Sequence, residues 1–187
     1  AHLKLLQAQL EPHMLFNTLA NLRVLIATDA PRAEQMLDHL IAYLRATLAG
    51  SRSGTHSLAS EFALLADYLA LMQIRMGDRL TYSLTLPADL AGLPVPPLLL
   101  QPLVENSIRH GLEPQLADGH IAVHASMLDD SHLLLSVHDN GLGLPALPEQ
   151  PPSGSGFGLQ QIRERLASRY GGAARFDLTA DSAGGTR

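Results

Sequence analysis

The sequence predicts an α+β protein: an N-terminal helical hairpin that pairs into a dimeric four-helix bundle, followed by an α/β sandwich. Three observations lead there. Over roughly the first fifty residues, apolar positions recur at helical spacing. Beyond Arg79, apolar and polar residues alternate in short runs, which is the period of half-buried strands. Between these regions lies Gly50-Ser51-Arg52-Ser53-Gly54, a linker by composition. The division is therefore residues 1–54, a dimerisation segment, and residues 55–187, a second domain.

Each element follows from its own residues. Leu15, Leu19, Leu22 and Ile26 mark one face of the first helix. Pro12 cannot donate to the Ala8 carbonyl and crowds it, so a kink is expected there. Thr28-Asp29-Ala30-Pro31 reads as stop, turn and restart, with Asp29 capping and Pro31 in the first turn. The second helix carries Leu37, Ile41, Leu44 and Leu48. This hairpin has little surface on which to bury two stripes, so a second copy is the economical partner. A third helix starts near Ser57 with Leu58, Phe62, Leu65, Leu69, Met72 and Met76 as its stripe.

Leu80, Tyr82, Leu84 and Leu86 then alternate as a strand. Residues 97–110 read as a helix opened by a proline pair. Ile121 to Met127 and Leu133 to Val137 are adjacent strands joined by the polar turn Asp129-Asp130-Ser131. Leu159 to Tyr170 reads as a helix, and Ala174 to Thr179 as a last short strand. The sheet is covered by helices on one face. No apolar strand follows Gly184-Gly185-Thr186-Arg187, so the chain is expected to be a piece of a longer protein.

Composition narrows the function. With 46% hydrophobic residues in 187, a packed core is within reach. A net charge of −5, no tryptophan and few aromatics argue against nucleic-acid binding. No run of about 18 apolar residues spans a membrane, and no signal-peptide pattern opens the chain. Cysteine is absent, which excludes disulfides and thiolate metal sites.

Four groups of residues carry candidate chemistry. Asp139 closes a strand before Gly141 and Gly143. A carboxylate there can accept from an adenine amino group, or it can be a plain Asp-Asn-Gly turn. Gly154, Gly156 and Gly158 lead into the helix at Leu159, where free N–H groups bind phosphate. A flexible loop is the plainer reading. The Pro145–Pro152 stretch before them suits a lid. Asn106 and Arg109, three residues apart, share a helix face. The amide oxygen suits Mg²⁺ and the guanidinium suits phosphate, though each could be surface decoration. His13 lies about 120° from the Leu19 stripe, with Asn17 one turn on along the same side. The other eight histidines read as solvated; His120 and His124 share a polar strand face but lack a third zinc ligand.

Taken in order, these motifs resemble the LytS-like family of bacterial sensor histidine kinases over essentially the whole chain. The acceptor motif is Glu11-Pro12-His13-Met14-Leu15-Phe16-Asn17. The nucleotide motif is Gln101-Pro102-Leu103-Val104-Glu105-Asn106 with Arg109-His110-Gly111. Tyr68-Leu69, Ile74 to Leu80 and Arg163-Glu164-Arg165-Leu166 match as well. Glu11, Met14 and Gln161 stand where the family has Asn, Phe and Asn.

The resemblance implies a phosphoacceptor bundle followed by an ATP-binding domain of the gyrase, Hsp90 and histidine-kinase type. It implies that His13 takes the γ-phosphoryl group of ATP, Asn106 binds Mg²⁺, Asp139 binds adenine and the Gly154–Gly158 loop binds phosphates. Arg109, His110, Gly141, Gly143 and Leu159 belong to the same nucleotide site, and Glu105, adjacent to Asn106 and so beside its phosphate end, is either the base or orienting group for His13 or a buttress of the metal site or a local cap. The phosphoryl group then passes to an aspartate on a response regulator. The expected whole is a homodimeric cytoplasmic part of a protein anchored in the bacterial inner membrane by a sensor region. A degenerate module that holds ATP or a partner without phosphorylating itself is the alternative. ATP-hydrolysing relatives of this fold carry a Glu four residues before the metal-binding Asn; here that position is Pro102, which cannot activate water.

Overall fold

The computed structural model describes residues 12–50, 54–143, 157–181 and 184–187. The chain forms two compact units: residues 1–78 with 92–98, and residues 79–91 with 99–187.

The first unit is built on three helices: α1 (Pro12–Thr28), α2 (Ala30–Gly50) and α3 (Leu58–Met76). Asp29 Oδ1 accepts from the Arg32 N–H at 3.2 Å, so it caps α2 as its position suggests. Ser57 caps α3 in the same way, accepting from Ser60 N–H at 3.1 Å. Helix α1 is described from Pro12 onward; the expected kink involves residues outside the described ones.

The hairpin stripes do not face inward as the periodicity suggests. On α2 the buried residues are Ala33, Met36, Leu40, Tyr43 and Thr47, while Leu37, Ile41 and Leu48 are exposed. At about 100° per residue the two sets are centred roughly 90° apart. On α1, Met14 and Thr18 are buried, whereas Leu19 is 45% and Ile26 65% exposed. The cause is α3, which occupies the Met36–Tyr43 side of α2. The Tyr43 and Tyr68 rings meet at 5.7 Å between centroids. His39 Nδ1 lies 3.0 Å from Asp67 Oδ1, and Arg32 Nη2 donates to the Ile74 carbonyl at 3.1 Å. The start of α2 thus meets the end of α3, at Arg32 and Ile74, and its later turns meet the middle of α3. Each hairpin helix thus has an apolar arc too wide for its neighbours within one protomer.

A short strand β1 (His56–Ser57) pairs antiparallel with β3 (Pro94–Val95). Beside this pair lies Glu61, fully buried on α3. Its Oε2 accepts from His56 Nε2 at 2.6 Å and from the Leu98 N–H at 3.0 Å. Leu98 has φ +56°, left-handed and strained for a branched side chain. That residue ends any right-handed helix begun at Pro97. The expected 97–110 helix therefore starts later, as α4 (Gln101–Asn106), with Pro102 in its first turn.

The second unit holds a mixed sheet in the order β2 (Leu80–Thr85), β4 (Gly119–Met127), β5 (Leu133–Asp139). β2 runs parallel to β4, and β4 antiparallel to β5. Ile121, Val123 and Ala125 point inward and His120 and His124 outward, as the alternation requires. Val104, Ile108 and Leu112 from the α4 region and Ile162 from α5 (Phe157–Tyr170) complete the core. In the β4–β5 turn, the Ser131 N–H and then the His132 ring lower the Asp129 carboxyl to about 2. The expected strand at Ala174–Thr179 is absent; this stretch has no regular structure. Only its end pairs, Thr179 exchanging backbone hydrogen bonds with Arg187 and Ala180 bridging to Thr186. Alternation alone does not make a strand without an edge to pair with.

Met36, fully buried, is central to the α2–α3 contact. Met36→Ala should lower unfolding free energy by about 2–5 kcal/mol, the range for emptying a core site. Urea denaturation followed by circular dichroism measures it; an unchanged midpoint would remove Met36 from the core.

Candidate functional site

The site grows from the C-terminal end of β5. Asp139 is the last residue of that strand and is 2% exposed. A buried carboxylate needs donors, and it has them on both sides. The Ser107 hydroxyl donates to Asp139 Oδ2 at 2.7 Å. The Gly141 N–H donates to Oδ1 at 2.9 Å.

Ser107 comes from a change in helix type. After Asn106 the α-turn widens into a π-helical turn, Ser107–Leu112. The Ser107 N–H is still shared by the Leu103 and Val104 carbonyls, four and three residues back, whereas the Glu113 N–H reaches back five residues to Ile108 at 2.8 Å. Such π segments recur at functional sites. Here the turn presents Ser107 and Gly111 to the strand end.

Glycine at 141 is required by space. A Cβ there would come within 2.5 Å of the Gly111 Cα and carbonyl carbon. The Leu142 N–H donates to the Gly111 carbonyl at 3.2 Å, tying the loop to the π turn. On the other edge, Asp139 N–H donates to the Thr186 carbonyl at 2.9 Å, and Thr186 N–H returns to the Asp139 carbonyl at 3.2 Å. Gly185 has φ +92°, and a Cβ on it would run into the Asp139 carbonyl. Asn140 holds the floor: its Oδ1 accepts from His120 N–H at 2.6 Å and its Nδ2 donates to the Asp118 carbonyl at 3.3 Å.

Of the residues singled out from sequence, Asp139 and Gly141 meet directly. Gly143 has φ +76° and lies against the Gly185 backbone. Asn106 is half-buried at the junction of α and π turns; Arg109 and His110 are exposed on the π turn. Glu105 is half-buried and accepts from Gln101 Nε2 at 2.8 Å. Gly158 and Leu159 lie in the first turn of α5, while Gly154, Gly156 and the Pro145–Pro152 stretch lie outside the described residues. His13 lies in the first turn of α1 and Asn17 one turn on, both in the first unit. Met14 is a buried core residue, its carbonyl accepting from the Thr18 hydroxyl at 2.8 Å.

Sequence reasoning misses Ser107, Gly185 and Thr186. Gly185-Thr186 carries a signal, a glycine pair before a β-branched residue, but reads as a chain end. Ser107 carries none, since nothing in the pattern announces a π turn. Among the described residues, no cluster of three or more His, Asp or Glu could hold a metal ion, and no helix is long and apolar enough to cross a membrane.

Two family models match. "Histidine kinase" matches residues 1–80, and "Histidine kinase-, DNA gyrase B-, and HSP90-like ATPase" matches residues 97–187. The sensor protein LytS of Bacillus subtilis is 34% identical over all of this chain and 32% of its own length. The sensor histidine kinase BtsS of Escherichia coli is 33% identical over 91% of this chain and 29% of its own. The chain thus spans about a third of the length of these curated relatives. A solved histidine kinase domain of a blue-light activated histidine kinase from Erythrobacter litoralis has the same fold, with a TM-score of 0.52 and 18% identity over 96% of this chain and 87% of that one.

Gly141→Ala should push the loop off the π turn and cost about 1–3 kcal/mol of stability, as overpacking does. Thermal unfolding reads this directly. A melting temperature equal to wild type would mean that the Gly111–Gly141 contact does not constrain the site.

Proposed function

The chain belongs to the LytS-like family of bacterial sensor histidine kinases, and from that membership we propose that it is the catalytic core of a two-component sensor kinase. It phosphorylates itself on His13 from ATP and hands the phosphoryl group to an aspartate on a response regulator receiver domain. The observation that carries this reading is the buried Asp139 carboxylate at a strand end, oriented by Ser107 and Gly141. Two of its roughly four lone-pair sites are used. The rest can accept from the 6-amino group of adenine, and the tight Gly111–Gly141 approach leaves backbone rather than side chains around it.

On this reading Asn106 supplies an oxygen for Mg²⁺, which takes one or two protein ligands and completes its shell with phosphates and water. The ion would neutralise charge on the phosphates when bound. Arg109 and His110 face the phosphate end, with Gly154, Gly156, Gly158 and the N–H groups at Leu159 around it. The neutral His13 imidazole nitrogen attacks the γ-phosphorus; a P–N bond forms, the bond to the bridging oxygen breaks, and ADP leaves. Glu105, oriented by Gln101, receives the imidazole proton or steadies the charge that develops. Asn17 orients the ring from one turn away. In the second step the receiver aspartate takes the phosphoryl group and His13 is restored.

The exposed stripes of α1 and α2 serve a second copy. Leu19, Ile26, Leu37, Ile41 and Leu48 are among the apolar residues one protomer leaves uncovered, and two such hairpins would bury them in a four-helix bundle. This assigns residues 1–54 to dimerisation and phosphoacceptance and 55–187 to ATP binding. The whole protein attaches to the bacterial inner membrane through a sensor region, and this chain works on the cytoplasmic side.

The deciding experiment is labelling with radioactive ATP. His13→Gln should abolish acid-labile label while nucleotide binding persists; label on the mutant would exclude His13 as acceptor. In the same assay Glu105→Gln should slow labelling by about 10²-fold with ATP affinity within a few-fold, the scale for losing a general base.

Leu37→Glu with Ile41→Glu should convert the dimer to a monomer in analytical sedimentation, since buried unpaired charge is strongly disfavoured. A dimer of unchanged affinity would place the interface elsewhere.

A further inference from the structure

We propose that Ser107 is a positioning residue for base selection: its hydroxyl holds Asp139 in the orientation that distinguishes a 6-amino purine from one lacking that group. The inference rests on the reading of Asp139 as the adenine acceptor and goes beyond it, because Ser107 itself touches the carboxylate and not the base.

The geometry is specific. A carboxyl group on Cβ rotates broadly about its last torsion, so one hydrogen bond does not fix its plane. Asp139 receives two donors on different oxygens, Ser107 Oγ at 2.7 Å and Gly141 N at 2.9 Å. The backbone donor cannot be mutated away and fixes one oxygen. The hydroxyl fixes the other, and with both held the plane of the carboxylate is set. A helical serine commonly returns its proton to the carbonyl four residues back. Ser107 instead sends it across to β5, which the π turn makes possible. It is buried at 8% exposure, so water does not readily replace it. Adding bulk nearby is not an alternative way of holding the group, since a Cβ on Gly111 would already lie 3.0 Å from Asp139 Oδ1.

The consequence separates two ligands. ATP presents a donor at the purine 6-position. Purine riboside triphosphate carries only hydrogen there and makes no such bond. If Ser107 aims the acceptor, its loss weakens ATP and leaves the analogue alone. If Ser107 merely supports the fold, both ligands weaken together.

The test measures dissociation constants of both triphosphates, by calorimetry, for the full chain as wild type, Ser107→Ala and Ser107→Cys. The wild type should prefer ATP by about tenfold or more, the scale of a hydrogen bond to a charged group. Ser107→Ala should lose about tenfold in ATP affinity with the analogue within about twofold, so that the preference collapses. Ser107→Cys, a weak donor of similar size, should fall between. If Ser107→Ala does not fold by circular dichroism, the ratio in Ser107→Cys decides. An ATP preference kept by the variants while the wild type shows it overturns the role of Ser107 alone. A wild type that binds both triphosphates equally overturns the adenine role of Asp139 and the inference with it.

Discussion

A carboxylate taken out of water must be met by donors, and in the second unit that requirement falls on Asp139. One donor is the N–H of Gly141, which reaches it only if the chain turns back immediately after β5. The other is Ser107, which reaches it only if the α-helix loosens into a π turn. The turn in turn brings Gly111 against Gly141, where a Cβ on 141 would clash with the Gly111 backbone and one on 111 would crowd Asp139 Oδ1 at 3.0 Å. Thr186 closes the far edge by exchanging backbone hydrogen bonds with the same residue. Strand end, helix type, loop and terminal segment are therefore arranged around one buried carboxyl group, and the proposed adenine contact would draw on the acceptor capacity left after its two donors are counted.

The helical unit obeys a different constraint, one of area. Helix α2 is apolar over roughly half its circumference. α3 covers Met36, Leu40 and Tyr43 and leaves Leu37, Ile41 and Leu48 bare. A soluble monomer seldom presents such a row along two neighbouring helices. The arc is divided accordingly: one side packs within this unit, and the other stays exposed, the face that the proposed four-helix bundle would bury.

These two constraints explain what is legible in the sequence. The strands β2 and β4 are, because one face is more buried than the other, so alternation survives in the residues; in β5 most positions on both faces are half-buried. The caps at Asp29 and Ser57 are, because they act locally. The inward face of α2 is not. With apolar residues at both Met36–Leu40–Tyr43 and Leu37–Ile41–Leu44, periodicity finds a stripe but not which stripe α3 will take. The start of α4 at Gln101 depends on the left-handed Leu98, held by a carboxylate thirty-seven positions away, and no local rule anticipates that. The chemistry of Asp139 is visible, while its partner Ser107 is not, since a π turn leaves no period of its own. Thr186 escapes notice because it pairs only through isolated bridges, to Asp139 at the tip of β5 and to Ala180.

Residues 92–98 belong to the helical unit although the chain on either side of them does not. Leu93 accepts from the Leu58 N–H, Val95 pairs with His56, and Leu98 donates to the buried Glu61. The polypeptide therefore crosses from one unit to the other at 78/79, at 91/92 and again at 98/99. No single peptide cleavage yields two intact pieces. A cut after Asp78 leaves the helices without β3 and strips Glu61 of a donor, while a cut after Leu98 carries β2 away from β4. In evolutionary terms the two halves are poor candidates for shuffling by simple fusion: a recombination point at 91/92 hands each descendant a fragment of the other, and one at 78/79 or 98/99 leaves one unit incomplete with its missing segment on the other piece.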